Sequence, residues 1–177
     1  AGNSEEDPPV ANRHTFVADN GGHLDDYWYR FELPNGQLTF TIAITAPVAP
    51  VNAEYVLADG SLTPAGLEYM MSRHKLSYLS SLQLHSFDVD HDAPVCAEVD
   101  YVSVNGQRIV DASGTPMFLS GNDQEWNTWE VNIPSLYLKL PIQQANGVIQ
   151  PGLNEIAIEV DTQQCNGWAM EVDWGAI

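Results

Sequence analysis

Apolar and polar residues alternate along most of this chain, the period of a strand that buries one face. In 37–45 (QLTFTIAIT), Leu38, Phe40, Ile42 and Ile44 fall on one side, and Thr39, Thr41 and Ala43 on the other. The segment 27–33 (YWYRFEL) precedes it across Pro34-Asn35-Gly36. Asn-Gly supplies the positive backbone angles of a tight turn, so the two segments are predicted to form a hairpin. Asn105-Gly106 joins 97–104 to 107–110 in the same way. Further strands are predicted over 77–89, 127–133, 154–161 and 167–174, separated by short Gly-, Asn- and Asp-rich turns. That rhythm belongs to an all-β antiparallel sandwich. One segment departs from it: Thr63 can cap a helix with Pro64 at its first position, and Leu67, Met70, Met71 and His74 then share a face, which reads as core packing at an edge or end of the sandwich.

The aromatic residues follow the same alternation. Trp129, Val131 and Ile133 share a strand face and are expected in the core, as are Trp168, Met170, Val172 and Trp174. Tyr27 and Tyr29 share a face that is either core or platform. Trp126 stands apart, in the polar stretch Gly121-Asn122-Asp123-Gln124-Glu125-Trp126-Asn127. It either caps the rim of the core or, with Asn122 and Asp123, stacks on and hydrogen-bonds a sugar ligand.

Length and composition bound the rest. The 177 residues contain no long Pro- or Ser-rich linker, so residues 13–177 are expected to form one sandwich domain behind an irregular arm, 1–12, that carries Pro8-Pro9. Six Lys and Arg face 24 Asp and Glu, a net charge of −18 on a chain with an ordinary 44% hydrophobic content. Such a surface argues against nucleic acid or an anionic membrane as partner. No run of about 18 apolar residues exists, so no membrane insertion is expected. The start at Ala1 without methionine reads as a chain whose signal peptide has been removed, and a secreted, extracellular or cell-surface location is expected. Two cysteines, Cys96 and Cys165, can form one disulfide in an oxidising compartment, or stand as two buried thiols.

The carboxylates are patterned. Glu-Val-Asp occurs at 98–100, 159–161 and 171–173, and Asp88-Val89-Asp90-His91-Asp92 precedes them. If Cys96 and Cys165 are bonded, their α-carbons lie within about 7 Å, which brings the loop after Asp92 beside the loop after Asp161. Crowded carboxylates repel unless protonated or metal-bound, and calcium, which takes six to eight oxygens, is the expected cofactor. The candidate ligands are Asp88, Asp90, Asp92, Asp100, Asp161 and Asp173. The alternatives are a merely solvated acidic face, or zinc through His85 and His91 with the aspartates. An EF-hand is excluded, because its sixth position would be Ala93 rather than Gly and its twelfth Val99 rather than Glu.

Signals of catalysis are sparse. Glu98-Val99-Asp100 looks like part of the Glu-x-Asp-x-x-Glu strand of sandwich-fold retaining glycosidases, but Ser103 occupies the place of the second carboxylate. No Gly-x-Ser-x-Gly elbow or phosphate-binding glycine loop is present, and no catalytic residue is assigned.

Residues 84–177 resemble a secreted jelly-roll module of the galactose-binding-like, carbohydrate-binding-module-like kind. The resemblance is carried by Phe87-Asp88-Val89-Asp90, by Glu98 to Gly106 with its Val-Asn-Gly turn, and by Thr128 to Pro134. Gly152-Leu153-Asn154 leading into Glu155 to Ile158, and Val172-Asp173-Trp174-Gly175, complete it. It implies an antiparallel jelly-roll β-sandwich, extracellular, calcium-stabilised and non-catalytic, with Asp88, Asp90, Asp100 and Asp173 as the carboxylates to test. The expected function is a module that binds glycan or another extracellular surface component. The alternatives are a calcium-dependent structural subunit of a matrix, adhesin or filament that self-associates, and, more weakly, a glycan-cleaving enzyme.

Overall fold

The structure, a computed structural model, describes residues 17–18, 28–30, 36–87, 89, 99–122, 125–160 and 169–177. Two sheets form the body. One has five strands in the order β1 (Val17–Ala18), β3 (Gly36–Ile44), β10 (Gly152–Val160), β5 (Tyr101–Val104) and β6 (Gln107–Arg108). The other has four, β2 (Trp28–Arg30), β11 (Ala169–Ala176), β4 (Leu79–Phe87) and β7 (Trp126–Pro134). From β3 onward the long strands alternate between the sheets, a jelly-roll connectivity, and the pairings are antiparallel except for β1 beside β3. A small hairpin, β8 (Ile142–Gln143) with β9 (Ile149–Gln150), lies outside both.

The alternation in the sequence becomes the core directly. Leu38, Phe40 and Ile42 of β3, Ile156 and Ile158 of β10, and Val102 and Val104 of β5 line the inner face of the larger sheet. Leu82, Leu84, Trp129, Val131, Ile133 and Val172 line that of the smaller one, and all join one buried cluster. Burying such a side chain stabilises by roughly 1.5–3 kcal/mol relative to exposure.

Three expectations change. Among the described residues the expected hairpin across Asn35-Gly36 does not pair: β2 runs beside β11 in the smaller sheet while β3 runs beside β10 in the larger. β3 pairs with β10 at nine positions, so long-range pairing overrides the local turn signal. The helix α1 (Pro64–Ser72) is capped by the Thr63 hydroxyl, which accepts from the Gly66 amide at 3.0 Å, with Pro64 at its start as expected. Its buried side is Gly66, Leu67 and Met70, whereas Met71 is exposed and His74 lies beyond the helix end. Gly66 is required there, because a Cβ would come within 1.9 Å of the Tyr55 carbonyl oxygen. Finally, a bulge between Val172 and Trp174 puts Trp174 opposite His85 and hands the inner row to Gly175, so register does not continue the 170–172–174 alternation.

The Asn105-Gly106 turn forms as expected, with φ of 50° and 77°. Asn105 also reaches across to β10: its amide nitrogen donates to the Asn154 side-chain oxygen at 2.8 Å and to the Tyr137 carbonyl at 2.8 Å, and its side-chain oxygen accepts from the Glu155 amide at 3.0 Å. Asn154 is fully buried and bonds both backbone groups of Lys139. The Val-Asn-Gly and Gly-x-Asn motifs are thus two halves of one latch that fastens the hairpin to β10 and to the chain at 137–139.

Candidate functional site

Strands β4 and β7 pair over their whole length, Leu79 with Pro134 through Phe87 with Trp126. Because Leu82, Leu84 and Ser86 face inward opposite Val131, Trp129 and Asn127, the intervening pairs face outward: Ser81 with Asn132, Gln83 with Glu130, His85 with Thr128, and Phe87 with Trp126. Directly opposed side chains on one face are the closest neighbours in a sheet, so these rows act as units.

At one end of this face the rows are aromatic. The Trp126 ring stacks on His85, centroids 5.0 Å apart and 15° between planes, and meets Phe87 at 5.3 Å and 45°. All three are half-buried. His85 Nδ1 and the Thr128 hydroxyl lie 2.9 Å apart. Towards the other end, the Glu130 carboxylate accepts from Ser81 at 2.8 Å and from Gln83 at 3.1 Å. The register continues across the sheet, with Glu171 opposite Phe87, Trp28 opposite Glu171, and Trp174 opposite His85. An aromatic cluster running into carboxylate, amide and hydroxyl groups can stack against an apolar ring face while hydrogen-bonding its polar edge.

Of the residues singled out from sequence, Trp126 belongs to this face. Asn122 lies in the preceding loop and donates to Glu125 Oε2 at 2.8 Å, and Asp123 is outside the described residues. Asp88, Asp90, Asp92 and Asp161 are outside them too, as are Cys96 and Cys165. Asp173 enters as a backbone position at the bulge in β11. Asp100 is described and is 0% exposed, just before β5, with its carbonyl accepting from the Leu119 amide at 2.9 Å. Among the described residues no three of His, Cys, Asp and Glu gather closely enough to hold a metal ion.

Sequence reading named His85 only as an alternative zinc ligand and missed Phe87, Thr128 and Glu130. A usable signal was present: with Leu82 and Leu84 inward, Phe87 falls on the polar side of its strand, where a large aromatic calls for a reason.

Two carboxylates have defined electrostatics. Asp59 is held below its ordinary 3.8, first because the Ser61 backbone amide donates to it, with Lys139 at 3.3 Å adding to the effect. Asp111 is lowered chiefly by the Ser113 hydroxyl and then by the Thr115 amide, inside its own turn. Both lie away from the aromatic face and serve loops.

No protein-family model and no curated protein matches this chain. A solved structure of a family 35 carbohydrate binding module from an environmental isolate aligns with 88% of this chain and 75% of its own, at 13% identity and a TM-score of 0.40. At that score the likeness assigns neither a ligand nor a site. Among the described residues no helix is long and apolar enough to cross a membrane.

Proposed function

We propose that the chain is a non-catalytic, extracellular binding module whose ligand is a glycan, and that the outer face of β4 and β7, centred on Trp126, is the contact surface. The observation that supports this reading is the placement of Trp126, His85 and Phe87 on a sheet's outer face, beside a row of hydrogen-bonding groups ending at Glu130. Pyranoses present an apolar face for stacking and hydroxyls at their rim, the complement of that surface. Tryptophan fluorescence titrated with a panel of polysaccharides tests it. Saturable changes with at least one polysaccharide, lost in Trp126→Ala and partly kept in Trp126→Phe, are expected. Undiminished affinity in Trp126→Ala sinks the assignment.

Calcium is proposed as a structural ligand of the carboxylates singled out from the sequence. What supports it is the chain's excess of carboxylates over cations, 24 Asp and Glu against six Lys and Arg, which leaves most carboxylates without a protein counter-ion. A thermal melt with EDTA, followed by calcium, checks it: a fall reversed by calcium is expected, and an unchanged melt contradicts it.

A further inference from the structure

The turn that ends α1 concentrates positive charge on an acidic protein. Of the Lys and Arg side chains described, Arg108 is bound to Glu159, and Lys139 to Asp59 at 3.3 Å. Arg73 and Lys75 flank His74, all three are exposed, and among the described residues neither cation pairs with a carboxylate. With 24 Asp and Glu for six Lys and Arg, two cations on either side of one residue, neither held by a carboxylate among the described residues, need a reason.

Helix geometry supplies part of it. The Lys75 amide donates to the Met70 carbonyl at 3.0 Å and the His74 amide to that of Met71 at 2.9 Å, the crossed pair of a Schellman ending. Cations at a helix carboxyl end also complement its dipole. Neither point explains His74, which takes the left-handed position, φ 54°, where glycine is the unstrained choice. Its imidazole lines the same groove as the Lys75 side chain, so a polar ring stands beside the charge there.

The surroundings suggest what such a turn could hold. Lys75 lines two grooves. One is walled by Val48, Pro50, Tyr69, Met70 and Arg73, and the other by Met71, His74, Leu76 and Leu79 among others. The Arg73 guanidinium lies 5.4 Å from the centroid of Tyr69, which stacks on Tyr55 at 4.7 Å. Each groove therefore offers an apolar floor beside fixed positive charge. A long polyanion would run from this patch onto the acidic surface, against a net charge of −18. A short acidic segment would stay within about 8 Å of the cations, the reach of unscreened charge at physiological salt.

We propose that this turn and its grooves dock a short, carboxylate-rich, proline-stiffened peptide, and that the chain's own Glu5-Glu6-Asp7-Pro8-Pro9-Val10 is the occupant. Glu5-Glu6-Asp7 is the longest run of consecutive carboxylates in the sequence. Pro8-Pro9 presets an extended polyproline conformation, which seats on aromatic-lined grooves at low entropic cost. Val10 supplies an apolar side chain for the floor.

The test uses the full chain bearing Glu5→Lys, Glu6→Lys and Asp7→Lys, which empties the site of its own segment. A fluorescent peptide of residues 3–11 is titrated into it and followed by polarisation. Saturable binding is expected, weakened at least tenfold by adding Arg73→Glu and Lys75→Glu, or more mildly by Arg73→Gln and Lys75→Gln. The full chain bearing Arg73→Glu and Lys75→Glu with its own Glu5-Glu6-Asp7 intact should in turn bind a peptide with lysines at positions 5–7. His74→Gly should melt no lower than its parent and bind the peptide more weakly. Absence of saturable binding to the intact turn, or equal binding after charge reversal, overturns the proposal. Neither outcome touches the glycan face, which is read separately with Trp126→Ala.

Discussion

The two sheets are alike inside and different outside. Both inner faces are rows of Leu, Ile, Val and aromatic side chains at or near zero exposure. Outward, the larger sheet carries Thr39, Thr41, Ser103 and Gln37, with Tyr101 and the Arg108–Glu159 pair at its end. The smaller sheet instead gathers Phe87, His85 and Trp126 beside Glu130. Inner faces answer to packing and must resemble each other, whereas an outer face is free to be bland. Where it is not, it carries a cost in exposed aromatic surface that a ligand can recover.

The largest expected effects test the likeness of the inner faces. Leu82→Ala in the smaller sheet and Ile158→Ala in the larger remove fully buried side chains of the same cluster, so each should cost about 2–5 kcal/mol in denaturant unfolding. A loss several times greater on one side would mean that the sheets do not share one core. Next comes the latch. Asn154→Ala leaves both Lys139 backbone groups and the Asn105 amide without that partner, and about 3 kcal/mol should be lost. Asn105→Gly would keep the turn but lose the same bridge, so a neutral outcome there would show that turn geometry alone matters.

The outer faces separate next. Trp126→Ala should cost only about 1–2 kcal/mol, from two ring contacts, while removing glycan binding. Tyr101→Ala on the opposite face loses its contact with Arg108, 4.5 Å from the ring centroid, and should leave binding intact. The smallest effect lies in a loop. The pKa of Asp59 is lowered on folding, so its contribution is present above the unfolded value and fades as pH falls through the folded one, below about pH 4. Its side chain is 53% exposed, so Asp59→Asn should change stability by only about 0.3 kcal/mol at neutral pH and nothing at pH 2.

Most of the strands were legible because a buried face imposes period two whatever the partner. Leu38-Phe40-Ile42 and Trp129-Val131-Ile133 are placed where their alternation puts them. Partnership was not legible. Asn35-Gly36 has the chemistry of a hairpin, yet β2 and β3 separate because each finds its neighbour far along the chain. Trp174 shows the same limit within a strand: alternation assumes unbroken register, and a bulge is invisible without the neighbour that defines it. The site was half legible. Trp126 drew attention as an aromatic in polar surroundings, while His85 and Phe87 join it only through the pairing of β4 with β7.

The most direct measurement is a nitrogen–proton NMR titration of the whole chain with the polysaccharide that alters its fluorescence. Shifts should concentrate at His85, Phe87, Trp126 and Thr128, including the Trp126 indole, with Thr39, Thr41 and Ser103 unmoved. Shifts centred on the larger sheet, or scattered evenly over both, would contradict the assignment to β4 and β7.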